Sequence, residues 1–443
     1  DGNALIFNSN HVQMTNGNAI IMHNSVTQGC IFIPRPGSNN LYYMFHIGKP
    51  SLGAPPFNLY YTEIDMNLSG GLGSVTANKN ISIAASFNNC SEKMAATQHC
   101  NGTDYWVLVH DRTGNAFKAY QVSAAGINTT PVVSNVGTLF LAATPFDDIG
   151  QMKISPNGTK VALVLSGQTQ VEIFDFNSNT GVVSNPISLG GTGSQNSYGL
   201  EFSPDNSVLY VSGTGTPMGV KQWNLCAGDA AAMAASGTMI AGNGMYSLQL
   251  APNQKIYGAA FSTNLAVVNN PNIVGAGCNF STTGINTAPG SNNLGLPGFV
   301  SSWFDDTTYS QVTQSQVNAA CGCTGSATAD LCYSFGVSPF TYSWSNGTTT
   351  GPTTNLTSTI TNLCAGNYTL VISDASCRTD TLLYNISGGG PGGITIGTAS
   401  VNPSCNQGNG SASVTATGGT PAYTYQWSSG HSTSAVTGLT SGT

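Results

Sequence analysis

Charged residues are scarce in this sequence, and their scarcity narrows what the protein can bind. Asp, Glu, Lys and Arg make up 7% of the 443 residues, against about 25% in an ordinary soluble protein. Eleven Lys and Arg with a formal net charge of −7 cannot form the basic stripe that neutralises phosphates, which argues against nucleic acid as a partner. Ser, Thr, Asn and Gln must keep the chain soluble, so its contacts should depend weakly on salt.

Long hydrophobic runs are also lacking. Its apolar stretches, such as 139–143 and 161–165, are far shorter than the ~18 residues of a membrane-spanning helix, so no membrane span is expected. Residues 1–3 form a turn sequence rather than the start of a signal peptide, which indicates a mature chain or one whose beginning is missing. Disorder is not expected, because 9% of the residues are aromatic and disordered chains are poor in aromatics.

Motifs of catalysis and metal binding are missing as well. The sequence has no P-loop, no GxGxxG after a strand and no Gly-x-Ser-x-Gly elbow. Its histidines show neither HxH nor HExxH spacing. They are His11, His23, His46, His99, His110 and His431. The pairs Asp147-Asp148 and Asp305-Asp306 could bind Ca²⁺ or act as acid and base, but loop decoration is favoured. We expect no enzyme activity, no cofactor and no metal site.

A 48-residue repeat organises the first part of the chain. The turns 155–158 (SPNG), 203–206 (SPDN) and 251–254 (APNQ) follow one another at this spacing. Each turn follows a short strand of alternating polarity and precedes two further strands. Proline presets φ at the second position of a type I turn, and Asn or Asp tolerates the bridge or left-handed conformation. Such units are typical of β-propeller blades.

The number of blades follows from the opening strands. These are expected near Ile31, Met94, Met152, Leu200, Leu248 and Phe299. A seventh unit begins in mid-blade at residues 4–7, and seven is a usual number of blades. A ring of blades must close, because open sheet edges promote aggregation. The first blade lacks its inner strand and the Phe299 blade lacks its outer strands, so about a blade's worth of sequence is expected before Asp1.

Several segments of this region resemble one family. They are 101–107, 126–137, 155–160, 268–272, 275–278 and 294–299. They are similar to the N-terminal β-propeller of large secreted, often gliding-motility-associated, surface proteins of Bacteroidetes. The resemblance implies a β-propeller over 1–304 and export by the type IX secretion machinery, through a C-terminal sorting domain beyond these residues. It brings no catalytic residue that can be carried over.

The composition changes after residue 304. A polar linker is expected at 305–316 and a Gly-rich linker at 388–395. The strands with Trp344 and Trp427 repeat 83 residues apart, a length suitable for an immunoglobulin-like sandwich. The units 317–387 and 396–443, the second truncated, resemble the SprB-type adhesin repeats of gliding proteins. The expected fold is all-β: a seven-bladed β-propeller, incomplete at its N-terminus, followed by Ig-like β-sandwich repeats.

Eleven cysteines without zinc spacing indicate an oxidising, extracellular setting, although scattered buried thiols are an alternative. The candidate pairs are Cys321–Cys377, Cys332–Cys364, Cys90–Cys100 and Cys226–Cys278. Cys323 fits this scheme poorly because it competes with Cys321, and Cys405 would pair beyond residue 443. Connectivity cannot be fixed from sequence.

Other side chains are considered for ligand roles. Glu172 and Glu201 could point into a propeller channel, with structural pairing favoured. Five aromatic residues could form a sugar platform, but inter-blade core is favoured. They are Tyr42, Tyr43, Tyr60, Tyr61 and Trp223. Thr307 and Thr381 follow Asp in a pattern that resembles Bacteroidetes O-glycosylation sites, which makes them candidates for that modification.

The predicted function is that of a non-enzymatic, secreted cell-surface protein of adhesin or gliding-motility type. A propeller head on a stalk of repeats would bind extracellular polysaccharide or another surface ligand, with other copies or surface proteins as further partners. Two alternatives remain open. One is a propeller hydrolase or lyase that acts on polysaccharide and is tethered by the repeats, and the other is a structural subunit of an extracellular filament or sheath.

Overall fold

The chain folds almost wholly into antiparallel β-sheets. The computed structural model describes residues 3–23, 25–49, 57–83, 89–141, 146–191, 197–213, 219–242, 245–305, 312–319, 323–333, 335–388, 394–404, 407–418 and 421–440. Helices are few there: the α-helix α1 (Ala230–Ala235) and the 3-10 helices Ser69–Gly71, Gly275–Cys278 and Ser301–Phe304. No helix among these residues is long and apolar enough to cross a membrane. The all-β expectation is confirmed.

Five sheets follow one another along the first part of the chain, after the pair β1 (Asn3–Ala4) and β2 (Ile20–Ile21). Sheet 1 contains β3 (Cys30–Pro34), β4 (Leu41–Gly48), β5 (Asn58–Asp65), β6 (Ser74–Val75) and β7 (Ile81–Ser82). Sheet 2 contains β8 (Cys90–Gln98), β9 (Tyr105–Asp111), β10 (Gly114–Ser123), β11 (Gly126–Ile127) and β12 (Val132–Phe140). Sheet 3 contains β13 (Met152–Ile154), β14 (Lys160–Leu165), β15 (Gln170–Asn177) and β16 (Val182–Gly190). Sheet 4 contains β17 (Ser197–Phe202), β18 (Val208–Gly213), β19 (Gly219–Asn224) and β20 (Thr238–Ala241). Sheet 5 contains β21 (Leu248–Leu250), β22 (Ile256–Gly258), β23 (Asn264–Val268) and β24 (Phe280–Asn286).

Neighbouring sheets pack face to face through shared apolar clusters. One cluster joins sheets 1 and 2, and further clusters join sheets 2 and 3, 3 and 4, and 4 and 5. Alternate residues of β9 divide between two of them, since Val107 and Val109 face sheet 1 while Trp106 and Leu108 face sheet 3. The inner strands were expected to be half-buried. They are buried on both faces, because one face packs in the apolar cluster shared with the preceding sheet and the other carries a polar side chain that meets those of the neighbouring first strands.

The proline turns recur in one conformation at the 48-residue spacing. Gly158, Asn206 and Gln254 have φ of 72°, 65° and 61°. Each donates its backbone N–H to the carbonyl three residues earlier, at 2.8 to 2.9 Å. The left-handed position therefore carries glycine in one unit and asparagine in the next, which both suit it, but glutamine in the third.

The described residues contain five such sheets, whereas the repeat count predicted seven blades. The segment at Phe299 makes a single parallel bridge, between Gly298 and Ile31, and then enters the helix Ser301–Phe304. The N-terminal residues Ile6 and Met14 pack with apolar side chains of β4, β5 and β6. They cover one face of sheet 1, and their segment forms a short hairpin with the antiparallel bridge Phe7–Gln13 rather than a four-stranded sheet. Among the described residues, the segment at Phe299 lacks the hairpin partner that a blade needs.

Two smaller modules follow. Module 1 (residues 312–388) has one sheet of β25 (Val312–Val317), β26 (Gly325–Leu331) and β29 (Thr357–Leu363), and another of β27 (Phe340–Trp344), β28 (Thr349–Thr353), β30 (Gly366–Ser373) and β31 (Thr379–Ile386). The two sheets enclose one core that includes Tyr342, Trp344 and Leu370. Module 2 (residues 394–440) has one sheet of β32 (Thr395–Val401), β33 (Gly410–Thr417) and β34 (Ala435–Leu439). Its strand order matches the first sheet of module 1.

Candidate functional site

The first strands of sheets 3, 4 and 5 bring one polar side chain each to a common point. Lys153, Glu201 and Gln249 lie 48 residues apart. Lys153 Nζ donates to Glu201 Oε2 at 2.9 Å and to Gln249 Oε1 at 2.6 Å. The two charged side chains are 8% and 5% exposed, and the Leu250 N–H donates to Glu201 Oε2 at 2.9 Å. Glu201 therefore has the structural pairing that the sequence favoured.

Two glutamines link the first strands of neighbouring sheets. Gln151 Oε1 accepts the backbone N–H groups of Leu200 and Leu248, at 2.9 Å each. Gln28 Oε1 bridges sheets 2 and 3 in the same way. A cavity of about 290 Å³ is lined by these glutamines, by Lys153 and by residues 295–299. The Lys153 ammonium in its lining is already paired with Glu201. This cavity therefore offers hydrogen-bonding groups rather than an acid–base pair.

Module 1 is attached to sheets 3 and 4 by a disulfide and by hydrogen bonds. Cys226, which follows β19, is bonded to Cys332, which follows β26. Lys160 Nζ donates to the Gly336 carbonyl at 3.1 Å, and Ser178 Oγ donates to the Ser376 carbonyl at 3.1 Å. We call this region, where module 1 meets sheets 3 and 4, the junction.

A cleft of about 530 Å³ opens at the junction. Lys160, Asp175 and Asn185 line one side, and Tyr333 and Phe335 line the other. Asp175 accepts from Lys160 Nζ at 2.5 Å and from Asn185 Nδ2 at 2.7 Å. One wall of the cleft is polar, with the charges of Lys160 and Asp175 paired, and the other is aromatic. The volume of the cleft lies in the range of small-ligand sites. Such a lining suits a neutral, hydroxyl-rich ligand with an apolar face.

The cysteine pairs of the structure differ from the candidates. Cys226 and Cys332 bond to each other, and Cys364 bonds to Cys323, so Cys226–Cys278 and Cys332–Cys364 are wrong. Cys278 is buried in the cluster between sheets 4 and 5 and is unbonded. The reason is that the docking of module 1 brings the end of β26 to sheet 4, which strand order alone does not show.

The Cys90–Cys100 and Cys321–Cys377 candidates are not bonded pairs among the described residues. Cys90 and Cys100 are unbonded, because Cys90 begins β8 inside the cluster between sheets 1 and 2 while Cys100 lies beyond the other end of that strand. Cys321 and Cys405 lie outside the described residues, so the Cys321–Cys377 pair is not seen there. Cys377 lies next to Cys100, with 2.7 Å between the sulfur atoms.

The pair Asp147–Asp148 is structural rather than decorative. Asp148 forms an ion pair with Arg112 at 2.9 Å, and Asp147, 1% exposed, accepts from Gln168 Nε2 at 2.8 Å. Asp305 accepts from Asn206 Nδ2 at 3.2 Å, and Asp306 lies outside the described residues. The expectation of loop decoration fails at Asp147 and Asp148 because the loop that carries them packs beneath β8.

Two histidines are buried within sheets. Burial lowers the pKa of His46 to about 4 and that of His110 to about 3. His46 Nε2 lies 3.0 Å from Thr62 Oγ1, and His110 stacks on Phe140 with ring centroids 4.1 Å apart. Across the part of the chain that the structure describes, no group of three His, Cys, Asp or Glu residues could hold a metal ion.

The other sequence candidates have core or surface positions. Glu172 accepts from Thr138 Oγ1 at 2.7 Å. Tyr43, Tyr60 and Trp223 are buried, as inter-sheet core should be, and Tyr42 and Tyr61 are half-buried. Thr381 is exposed on β31, and Thr307 lies outside the described residues.

Comparison with known families identifies one segment. Residues 397–432 match the SprB repeat family, and this stretch covers most of module 2. No curated protein matches the chain.

Similarity to solved structures is broad but weak. PorZ of Porphyromonas gingivalis, described as an essential bacterial surface component of the type-IX secretion system, aligns at a TM-score of 0.35 and 12% identity over 83% of this chain, which spans 52% of PorZ. The periplasmic gluconolactonase PpgL of Pseudomonas aeruginosa aligns at 0.38 and 10% identity, covering 83% of this chain and 88% of that one. A Lactobacillus plantarum protein aligns at 0.36 and 14% identity, covering 90% and 96%. At these scores, no argument about function is based on the three structures.

Proposed function

We propose that this chain is the head and first stalk modules of a non-enzymatic cell-surface protein of adhesin type. The observation that carries the proposal is the SprB repeat at 397–432, placed directly after a module that is covalently attached to the five-sheet region. A rigid head followed by repeated modules gives reach and allows many weak contacts to act together.

The proposed architecture is a β-propeller of five blades followed by Ig-like sandwiches. Three observations support a closed ring. Consecutive sheets share cores from sheet 1 to sheet 5, their first strands are cross-linked by Gln28 and Gln151, and residues 294–298 bridge sheet 5 to sheet 1. In that bridge the Ser247 N–H donates to the Leu294 carbonyl at 3.1 Å, and Gly298 pairs with Ile31.

The proposed ligand is a neutral extracellular polysaccharide, and the proposed binding place is the cleft at the junction. Its support is the pairing of an aromatic wall, with Tyr333 and Phe335, and a hydrogen-bonding wall, with Asn185 and Asp175. Sugars present flat apolar faces edged by hydroxyl groups, so such a lining complements them.

Binding is tested with the full chain, labelled fluorescently, on beads coated with uncharged or acidic polysaccharides. We expect retention on an uncharged polysaccharide and a loss of at least fivefold in affinity for Tyr333→Ser. Tyr368→Ser is the matched control, since Tyr368 is a half-buried tyrosine of module 1 that contacts Cys364 and not the cleft. Equal binding by the unmodified chain and both variants contradicts binding at the cleft. No binding to any coated bead contradicts the adhesin proposal.

We also propose that the chain has no catalytic activity, because the acidic side chains of the blade strands are engaged by neighbours, as Glu201 is by Lys153. Release of reducing ends or unsaturated sugars from a polysaccharide would instead support the hydrolase or lyase alternative. Regular filaments of the purified chain in negative stain would support the filament alternative.

Location at the cell surface after type IX export is part of the same proposal. It is supported by the family resemblance of the sequence and by the disulfides, which persist in oxidising compartments. The test is surface labelling of the protein in its own organism, with and without a working type IX machinery. Unchanged surface labelling without that machinery contradicts the proposed export route.

A further inference from the structure

A second pair of cysteines meets across the junction. Cys100 lies in the turn after β8, at the end of sheet 2, and Cys377 lies in the turn between β30 and β31 of module 1. Their sulfur atoms are 2.7 Å apart, whereas a disulfide bond is ~2.05 Å long. The two residues are 277 positions apart in the sequence, so nothing local in the chain brings them together.

The backbone on both sides of this pair is fixed by hydrogen bonds. On the module side, the Asp374 carboxylate accepts from the backbone N–H groups of Ser376 and Arg378, at 2.9 Å each. On the head side, the Cys100 N–H donates to the Ser178 carbonyl at 3.3 Å. Ser178 Oγ in turn donates to the Ser376 carbonyl at 3.1 Å. The same few residues therefore hold both cysteines, and the sulfur atoms need to approach by less than an ångström.

We propose that Cys100 and Cys377 form a second disulfide between the head and module 1, so that the module is attached at two points. The first point is Cys226–Cys332 on sheet 4, and the second is on sheet 2. One covalent link permits rotation about its own bonds, whereas two links on different sheets fix the orientation of the module. The stalk then leaves the head in one direction.

The bond forms by thiol–disulfide exchange with a dithiol oxidoreductase in its oxidised form or with a small-molecule disulfide. Cys377 is exposed, so its thiolate attacks the reagent and forms a mixed disulfide, releasing one thiolate. Cys100 then attacks the Cys377 sulfur, the Cys100–Cys377 bond forms, and the second thiolate leaves. The two protein thiols lose two electrons, which reduce the reagent, and their two protons pass to the two thiolates.

The order of these steps follows from the surroundings of Cys100. Burial first, and the contact with Cys377 second, raise the pKa of the Cys100 thiol to about 12. Little of it is thiolate near neutral pH, so it is a poor first attacker. Once Cys377 carries the mixed disulfide, its sulfur atom lies beside that of Cys100, so Cys100 is placed to attack second.

The experiment uses the full chain made in an oxidising compartment, with a specific protease site inserted between residues 308 and 309. After cleavage, the fragments stay together on a non-reducing gel only if a disulfide joins residues 1–308 to residues 309–443. In the C226S/C332S variant the first link is absent. We expect its fragments still to migrate together without reductant and to separate when C377S or C100S is added. The matched control is C278S, a cysteine of the same head fragment, which should leave them joined.

Separation of the C226S/C332S fragments without reductant overturns the proposal. If that variant fails to fold, the wild-type chain gives the answer by mass spectrometry of non-reduced peptides. A peptide pair joined by Cys100 and Cys377 supports the proposal. Alkylation of both thiols, or a Cys321–Cys377 peptide, overturns it.

Discussion

Removing the carboxylate charge of Glu201 should destabilise the five-sheet region more than any surface charge change. Lys153 Nζ and Glu201 Oε2 are 2.9 Å apart with side chains 8% and 5% exposed. At an effective dielectric constant of about 20, this distance corresponds to an attraction of about 6 kcal/mol. The cost of removing both groups from water offsets most of it. Glu201→Gln leaves the Lys153 ammonium buried without a counter-charge, and we expect a loss of about 3–5 kcal/mol in unfolding free energy.

The double variant separates the pair from its surroundings. K153M/E201Q removes both charges while the amide oxygen can still accept from the Leu250 N–H. It should be about 2 kcal/mol more stable than E201Q alone, since no unpaired ammonium remains buried. Arg35→Met is the control, because Arg35 is 33% exposed and 3.6 Å from Glu63, which also accepts from Thr76 and Asn78, so its loss should cost about 0–1 kcal/mol.

Urea unfolding followed by circular dichroism gives the overall free-energy differences, and hydrogen exchange of residues 248–252 gives the local one at the Leu250 amide. A cost below 1 kcal/mol for E201Q would refute the reasoning. So would a double variant less stable than E201Q, because the two groups would then not be coupled.

The remaining predictions concern turns, pH and salt. Gln254→Gly should stabilise the chain by about 1 kcal/mol, since an L-residue in the left-handed region costs about 1–2 kcal/mol, while Gly158→Gln should destabilise it similarly; equal unfolding midpoints would contradict this. The folded-state pKa of His46 is about 4, below its ordinary value of 6.5, so its contribution to stability is complete above about pH 6.5 and is lost as pH falls towards 4. His46→Gln should flatten this part of the curve of unfolding midpoint against pH, whereas the exposed His11→Gln should leave it unchanged. Polysaccharide binding should persist from 0.1 to 1 M NaCl because the chain has 7% charged residues, and a tenfold loss would contradict a neutral interface.

The inner strands and their turns could be predicted from the sequence because the signals are local. The expected strand 150–154 contains β13, and the proline turn at 155–158 has the left-handed residue where a turn of that type needs it. The strand β9 contains a continuous apolar run, which fits its packing against a sheet on each face. Such patterns depend on neighbours within a few residues along the chain.

The number of sheets and the cysteine partners depended on contacts between distant residues. Nothing near Phe299 in the sequence shows that, among the described residues, its segment pairs only through the Gly298–Ile31 bridge. Likewise, Cys332 is in the right place to pair within module 1, and only the docking of that module brings it to Cys226. The junction was therefore not predicted from the sequence. The odd number of cysteines in the head and in module 1 was a signal for a disulfide between them.

The common point of Lys153, Glu201 and Gln249 has a consequence for how such a chain can evolve. Copying a unit of 48 residues would first place the same side chain there three times. Three lysines or three glutamates at hydrogen-bonding distance would repel one another without solvent to screen them. Duplicated units therefore cannot keep the same charged residue at this position, and in this chain they carry a cation, an anion and a neutral amide. Divergence of a charged residue at that point is a condition for the copies to pack side by side.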